Sequence, residues 1–249
     1  TIIDTHYSIY QVMGERFIQY RITQPDPEEM AIMAMDRVGQ ENEMRKELRE
    51  SYKKYFLSID IPSIKEIELP DDIKKAMSSL ASFSVLMRSG IIRDTYKHQI
   101  EYIPQPEAPT RLSKQLVVLI KALAVIEERR KVTWLDYFLV LKVALDTIPR
   151  NRMIHFKVLC ENPELSTTEV AQLTEYSREG SEMHLEDLVA LKILEVTRGG
   201  QGNPNRWRLS AKTLEFFTKL LPDQTENLQA MFDIDNFYYT IIQRILKES

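Results

Sequence analysis

The stretch EVTRGGQGNPNRWRLS, residues 195–210, decides how the second half of the chain folds. The chain has only 7 glycines, and Gly199, Gly200 and Gly202 stand within four positions here. A phosphate-binding loop needs a glycine-rich turn, followed by Lys and Ser or Thr, at the start of a helix. These glycines are followed by the strand-like run RWRLS instead. Because glycine and asparagine adopt the positive φ values of tight turns, the stretch predicts a β-hairpin.

Three helical segments precede this hairpin. The first is RNRMIHFKVLCEN, which begins at Arg150. The second begins with Ser166 as N-cap and Glu169 three residues later, which is a capping box. The third begins near Arg178 and leads through LVALKILEV into the first strand. Helix, helix, helix, strand, tip and strand over about 60 residues predict a winged helix-turn-helix domain.

The rest of the chain is rich in Leu, Met, Lys and Glu at helical spacing, so we expect a mainly α fold. Thr133 and Asp136 form a second capping box. A short strand is expected over 16–22 and a small hairpin over 91–103. Helices are expected over 4–13, 27–38, 40–57, 69–90, 110–129, 131–149, 211–221 and 224–247. The predicted architecture is a helical bundle followed by a winged helix-turn-helix domain with a small β-hairpin wing.

Composition limits the classes of function. The 249 residues carry a net charge of −4, so any nucleic-acid site has to be local. The single cysteine, Cys160, excludes an internal disulfide framework and a CxxC-type zinc site, and its apolar flanks favour core packing over a reactive thiol. The sequence has no apolar run long enough for a transmembrane helix. We expect a cytoplasmic protein without a membrane partner.

The predicted hairpin tip carries candidate nucleic-acid contacts. Arg198, Arg206 and Arg208 flank it, and Gln201, Asn203 and Asn205 offer amide groups. Such side chains contact the phosphate backbone in protein–DNA complexes. The alternative is a tight surface hairpin that has no partner.

The third helix of this module gives a mixed signal. Its start, expected to be exposed, offers Arg178, Ser181 and His184 as DNA contacts. Residues 150–210 nevertheless contain eight Lys and Arg against nine Asp and Glu, a net charge of −1. Sequence-specific DNA readers present a basic face. Two alternatives therefore remain open: weak DNA binding through the wing and the PRNR entry at 149–152, or binding to a protein.

Catalytic and metal-binding patterns are missing from the sequence. His6, His98, His155 and His184 are scattered without the spacing of metal ligands, so we expect structural histidines and no metal site. No GxSxG motif occurs, and nothing places a base beside the cysteine.

Two arginines stand apart from the hairpin. Arg16 lies in MGERFIQYR, and Arg111 lies in APTRLSKQL on the first turn of an apolar helix. An arginine at such a helix start can present its guanidinium to a phosphate at a domain or subunit boundary. The alternative for each is an ordinary surface salt bridge.

The order GERF, PTRLSKQLVVLIKALA and KVTWLDYFLVLKVA, followed by a winged helix, resembles the C-terminal half of an AAA+ ATPase. The similarity is to minichromosome-maintenance-like helicases and related bacterial ATPases. It implies that Arg16 is an arginine finger that acts in trans on a neighbouring subunit's ATP site. It also implies that Arg111 is the sensor-2 arginine of a helical lid, with Val132 and Asp136 in the next lid helix.

The same resemblance sets the expected organisation. Residues 1–60 end an ATPase core, 61–149 form a lid-like helical domain, 150–210 form the winged helix, and 211–249 are C-terminal helices. No Walker A or Walker B motif occurs in the 249 residues. We expect ATP and Mg²⁺ to bind a part of the protein that precedes Thr1, with DNA and other subunits as partners. The alternative is a non-enzymatic winged-helix DNA-binding regulator or protein-interaction adaptor.

Overall fold

The computed structural model of the chain describes residues 18–21, 26–94, 96–200 and 202–220. These residues form nine α-helices and five short strands, so the mainly α prediction is confirmed. Arg16, Gln201, and the helices predicted over 4–13 and 224–247 lie outside the described residues.

The helices end within a few residues of their predicted limits, but no strand forms at 18–21, where the 16–22 strand was expected. The helices are α1 Pro27–Asp36, α2 Glu41–Ser58, α3 Asp71–Arg88, α4 Thr110–Ile126, α5 Trp134–Asp146, α6 Arg150–Glu161, α7 Thr167–Thr174, α8 Arg178–Ala190 and α9 Ala211–Thr218. The strands are β1 Ile92–Arg93, β2 Ile100–Tyr102, β3 Leu165–Ser166, β4 Leu194–Thr197 and β5 Arg206–Leu209.

Both predicted capping boxes are present, and the one at α5 is reinforced. The Asp136 carboxylate accepts a hydrogen bond from the Thr133 backbone N–H at 2.8 Å. Arg129 donates to both oxygens of the same carboxylate, at 2.8 and 2.7 Å. Burial raises the pKa of Asp136, but the hydrogen bonds from Arg129 and Thr133 outweigh it and hold that pKa below the ordinary value. The start of α5 is therefore fixed by local sequence.

Helices α3, α4 and α5 pack against one another as a bundle. Leu116 and Ile120 of α4 are fully buried, as is Tyr137 of α5, because their spacing places them on the inner helix faces. The predicted small hairpin is also present, since β1 and β2 pair antiparallel with Ile92 opposite Tyr102. It connects the end of α3 to the start of α4.

A three-stranded antiparallel sheet accompanies helices α6, α7 and α8. Its strand order is β3-β5-β4, with Leu165 opposite Trp207 and Leu194 opposite Leu209. The Trp207 indole donates to the Thr167 hydroxyl at 2.9 Å, which ties the sheet to α7. The outer strand β3 was not predicted, because it has only two residues, of which the second is the N-cap of α7, and two residues cannot show strand alternation.

One hydrophobic core runs from the helical bundle into this C-terminal part. Phe83 of α3 lies 5.5 Å from Phe156 of α6 and 6.0 Å from Phe217 of α9, measured between ring centroids. Cys160 of α6 is buried in the same core, which agrees with its predicted packing role. Among the helices of the described ranges, none combines the length and the apolar character needed to cross a membrane.

Candidate functional site

The β4–β5 hairpin closes through backbone contacts that require glycine at two positions. The Asn203 N–H donates to the Gly200 carbonyl at 2.9 Å, and Gly202 has a φ of +88°. A Cβ atom on Gly199 would lie 2.1 Å from the Asn203 carbonyl oxygen, which no side chain can accommodate. A Cβ atom on Gly200 would meet nothing within 4 Å. The glycine-rich stretch is therefore a compact hairpin tip, as the sequence predicts.

The arginines of this hairpin are accessible, and two of them form exposed ion pairs. Arg206 contacts Glu169 at 3.0 Å and Arg208 contacts Glu195 at 3.1 Å, and Arg198 is exposed beside the tip. Exposed pairs of this kind are worth about 0–1 kcal/mol, so a phosphate group can compete with the carboxylates. Asn203 is also exposed, while Gln201 lies outside the described residues. The candidates Arg198, Asn203, Arg206 and Arg208 thus lie on or beside the β4–β5 hairpin.

The expectation that Ser181 and His184 lie on an exposed helix start is wrong. Ser181 is 0% exposed and His184 is 8% exposed, because they share the inner stripe of α8 with Leu185 and Leu188. Arg178 is exposed as predicted. Neither Ser181 nor His184 can reach a nucleic acid from this position. The outer face of α8 carries the acidic residues Glu179, Glu182 and Glu186.

The buried residues of α8 belong to a histidine cluster that the sequence did not reveal. The rings of His155 and His184 lie 5.0 Å apart, and the Tyr176 ring is 5.0 Å from His155. His155 Nδ1 lies 2.7 Å from the Asn151 carbonyl oxygen, and its Nε2 lies 3.3 Å from Ser181 Oγ. Burial lowers the pKa of His155, and burial together with His155 lowers the pKa of His184 to about 4.

These histidines are neutral near pH 7, and their side chains pack between α6 and α8. They are far apart in sequence, and only the packing of the two helices brings them together. Throughout the described ranges, no three His, Cys, Asp or Glu side chains form a group that could hold a metal ion.

A charged cluster beside the histidines joins the β1–β2 hairpin to α8. Arg93 donates to one oxygen of Asp187 through Nε at 2.9 Å and Nη2 at 2.7 Å, and it also donates to the Met183 carbonyl at 2.8 Å. Arg152 of α6 lies 4.0 Å from the other Asp187 oxygen and donates to the Ser89 carbonyl at 2.6 Å. Arg93 and Asp187 are 94 residues apart, so sequence spacing gave no signal for this pair.

Arg111 lies on the first turn of α4, where the sequence places it. Its Nη2 donates to Glu107 at 2.5 Å, and the other oxygen of Glu107 accepts from Arg88 at 2.5 Å. The Arg88 side chain is buried, whereas the Arg111 side chain is 44% exposed. The salt bridge of the simpler interpretation is therefore present at Arg111.

Arg16 itself lies outside the described residues, but the segment that follows it is attached to α5. The Arg21 backbone N–H donates to Asp146 at 2.8 Å, and its guanidinium donates to the Ile148 carbonyl at 2.6 Å. The Lys142 ammonium lies 5.2 Å from the centroid of the Tyr20 ring, a cation–π distance. The start of the described chain is thereby fixed to the end of α5.

Comparison with known proteins gives no relative for this chain. No protein-family model, no curated protein and no solved structure matches it. Its function has to be inferred from its own geometry.

Proposed function

We propose that the chain is the lid and winged-helix portion of an AAA+ ATPase that acts on DNA, and that it contains no nucleotide-binding loop of its own. The observation that carries this proposal is the order of α6, α7, α8, β4 and β5, with β3 added to the edge of the hairpin. This order, together with an exposed, arginine-bearing hairpin, supports the proposed winged helix. The bundle of α3 to α5 before it corresponds to the lid in this proposal.

The wing is the proposed DNA contact. Arg198, Arg206 and Arg208 reach phosphate groups, and Arg206 and Arg208 exchange exposed carboxylate partners for them. The outer face of α8 is acidic and repels the phosphate backbone, so this helix does not read bases. Three phosphate contacts give a slope of about −3 for log K against log salt concentration. The proposed binding is thus weak, dependent on salt and independent of DNA sequence.

Arg111 and Arg16 are the proposed links to ATP turnover. Arg111, on the first turn of α4, contacts the γ-phosphate, and Arg16 acts in trans on a neighbouring subunit. In this proposal ATP and Mg²⁺ bind through Walker motifs, which these 249 residues do not contain. In other NTPases an arginine finger contributes roughly 10³–10⁵ in rate. In a longer protein with a Walker A loop, Arg16→Ala should therefore lower ATP hydrolysis severely, and an unchanged rate would refute the finger assignment.

The wing is tested by titrating a labelled DNA duplex with the chain at low and high salt. Arg206→Ala and Arg208→Ala should each weaken binding and reduce the salt slope by about 1. The matched control is Lys219→Ala, which removes an exposed, ion-paired cation that directly follows α9 and is not part of the hairpin. If the two wing variants bind like the control, the proposed wing contact is wrong.

One observation favours a second candidate, a protein-interaction adaptor. Glu179, Glu182 and Glu186 line the outer face of α8, and Leu173 and Tyr176 are exposed on and after the neighbouring α7. Apolar side chains beside a charged rim are typical of protein-binding surfaces. In this alternative the chain shows no salt-dependent DNA binding, and the variants Leu173→Ala and Glu182→Lys reduce capture of a protein partner.

A further inference from the structure

Helix α2 exposes a row of large apolar side chains. Met44, Leu48, Tyr52 and Phe56 recur every four residues and form one ridge, and the helix contains no buried residue. Their exposed fractions are 39%, 57%, 56% and 52%. The Tyr52 and Phe56 rings stack with centroids 6.3 Å apart. Contiguous exposed apolar patches of a few hundred Å² are often interaction surfaces.

The helix is attached to the rest of the described chain near its C-terminal end. The Tyr55 hydroxyl donates to the Ile126 carbonyl at 2.5 Å, and Ile59, directly after the helix, is buried. Towards the N-terminal end, no described residue covers Met44 or Leu48 enough to bury it. The ridge is thus presented on a helix that is held from one end.

The charges of α2 are self-complementary. Residues 41–47 contain three acids and two bases, whereas residues 48–58 contain three bases and one acid. Two antiparallel copies of the helix therefore place the acidic end of each against the basic end of the other, while parallel copies place like against like. Glu47 and Lys54 are seven residues apart, so they lie on the same flank of the helix. In an antiparallel pair, Glu47 of one copy therefore faces Lys54 of the other copy.

We propose that α2 binds α2 of a second copy of this chain in an antiparallel, two-fold symmetric contact. The ridges interdigitate near Glu50, which places Met44 beside the partner copy's Phe56 and Leu48 beside its Tyr52. Packing of two four-residue ridges gives a crossing angle of about −50°. On one flank, each Glu47 pairs with a Lys54 of the other copy. This contact is independent of the proposed DNA and ATP functions.

The area of the ridge predicts a weak dimer. A large apolar side chain buries about 150–250 Å² in full, so four half-exposed ones offer roughly 350–400 Å² per copy. Two copies then bury about 700–800 Å², which is below the ~1,200–2,000 Å² of stable interfaces. Met30 and Met33 of the preceding helix α1 are also exposed. Dimer formation is therefore expected to depend on concentration, with dissociation in the micromolar range or weaker.

Sedimentation velocity of the full chain over a wide concentration range tests the proposal. The wild type should shift reversibly from monomer to dimer, and Leu48→Glu should raise the dissociation constant about 100-fold or more, because two leucines are lost per dimer. The control is Leu57→Glu, the same substitution at a 77% exposed leucine off the ridge, which should dimerise like wild type. Far-ultraviolet circular dichroism of each variant checks that its helices are retained.

A charge exchange tests the antiparallel arrangement. Glu47→Lys and Lys54→Glu should each weaken the dimer, and the double exchange in one chain should restore it, because each pair re-forms with reversed sign. A wild type that stays monomeric at every concentration overturns the proposal and indicates that another segment or a different protein covers the ridge. A dimer that is insensitive to Leu48→Glu, or a double exchange without rescue, overturns it as well.

Discussion

The substitution Asp187→Asn tests the charged cluster that holds the β1–β2 hairpin against α8. It keeps the size of the side chain but removes its negative charge. Asp187 is buried and accepts two hydrogen bonds from Arg93, and Arg152 lies 4.0 Å from its second oxygen. Loss of the charge leaves two largely buried guanidinium groups without this carboxylate. The unfolding free energy should therefore fall.

The size of the expected loss in unfolding free energy depends on the hydrogen-bond partners that Arg93 keeps. Removing one partner of a buried ion pair costs about 3–5 kcal/mol. Arg93 keeps the Met183 and His98 carbonyls and the exposed Glu186 carboxylate, at 2.8, 2.5 and 3.2 Å, and these offset part of the loss. We expect a net loss of about 2–3 kcal/mol, which corresponds to a fall in Tm of roughly 5–10 °C for a domain of this size.

Thermal and urea unfolding of the full chain measure this effect. The control is Glu186→Gln, which removes the charge of the other carboxylate that contacts Arg93. The Glu186 side chain is 49% exposed. An exposed partner is worth about 0–1 kcal/mol, so this variant should unfold almost like wild type. If Asp187→Asn costs no more than Glu186→Gln, the cluster does not hold the hairpin as described.

Two further predictions concern the histidine cluster and the hairpin tip. Because burial lowers the pKa of His184 to about 4, the unfolded chain binds more protons than the folded chain between about pH 6.5 and pH 4. Stability should fall by about 2 kcal/mol from pH 7 to pH 5 through this residue, and urea unfolding of His184→Asn should show a flatter pH profile. At the tip, Gly199→Ala should cost about 1–3 kcal/mol or rearrange the hairpin, because its Cβ meets the Asn203 carbonyl. Gly200→Ala has open space and should change stability by less than about 0.5 kcal/mol. Equal Tm values for the two alanine variants would contradict the tight turn.

Local signals predicted most of the elements correctly. The capping boxes at Thr133 and Ser166 mark the starts of α5 and α7, and the glycines mark the hairpin tip, because caps and turns are satisfied by residues within a few positions. The two-residue strand β3 was missed because it depends on a long-range contact. Its pairing with β5 links residues about 40 positions apart. Strand pairing over that distance leaves no periodic signal.

The exposure of the candidate site residues was predicted correctly at the hairpin and at Arg178, the first residue of α8. Arg198, Arg206 and Arg208 are accessible because they flank a hairpin tip, and turns lie at the surface. Ser181 and His184 were misplaced because the sequence shows that α8 is amphipathic but not which face meets α6. The acidic outer face of that helix was visible in the sequence as an excess of glutamates.

The sequence by itself determined the mainly α class, the limits of the helices, the tight hairpin and the packing of Cys160. Those properties depend on side-chain spacing, capping and the conformational freedom of glycine, all of which act over a few residues. Only the tertiary structure decided that His155 meets His184, that Arg93 pairs with Asp187, and that the bundle and the C-terminal part share one core. These contacts join residues far apart in the chain, and the burial that selects them exists only after the helices have packed.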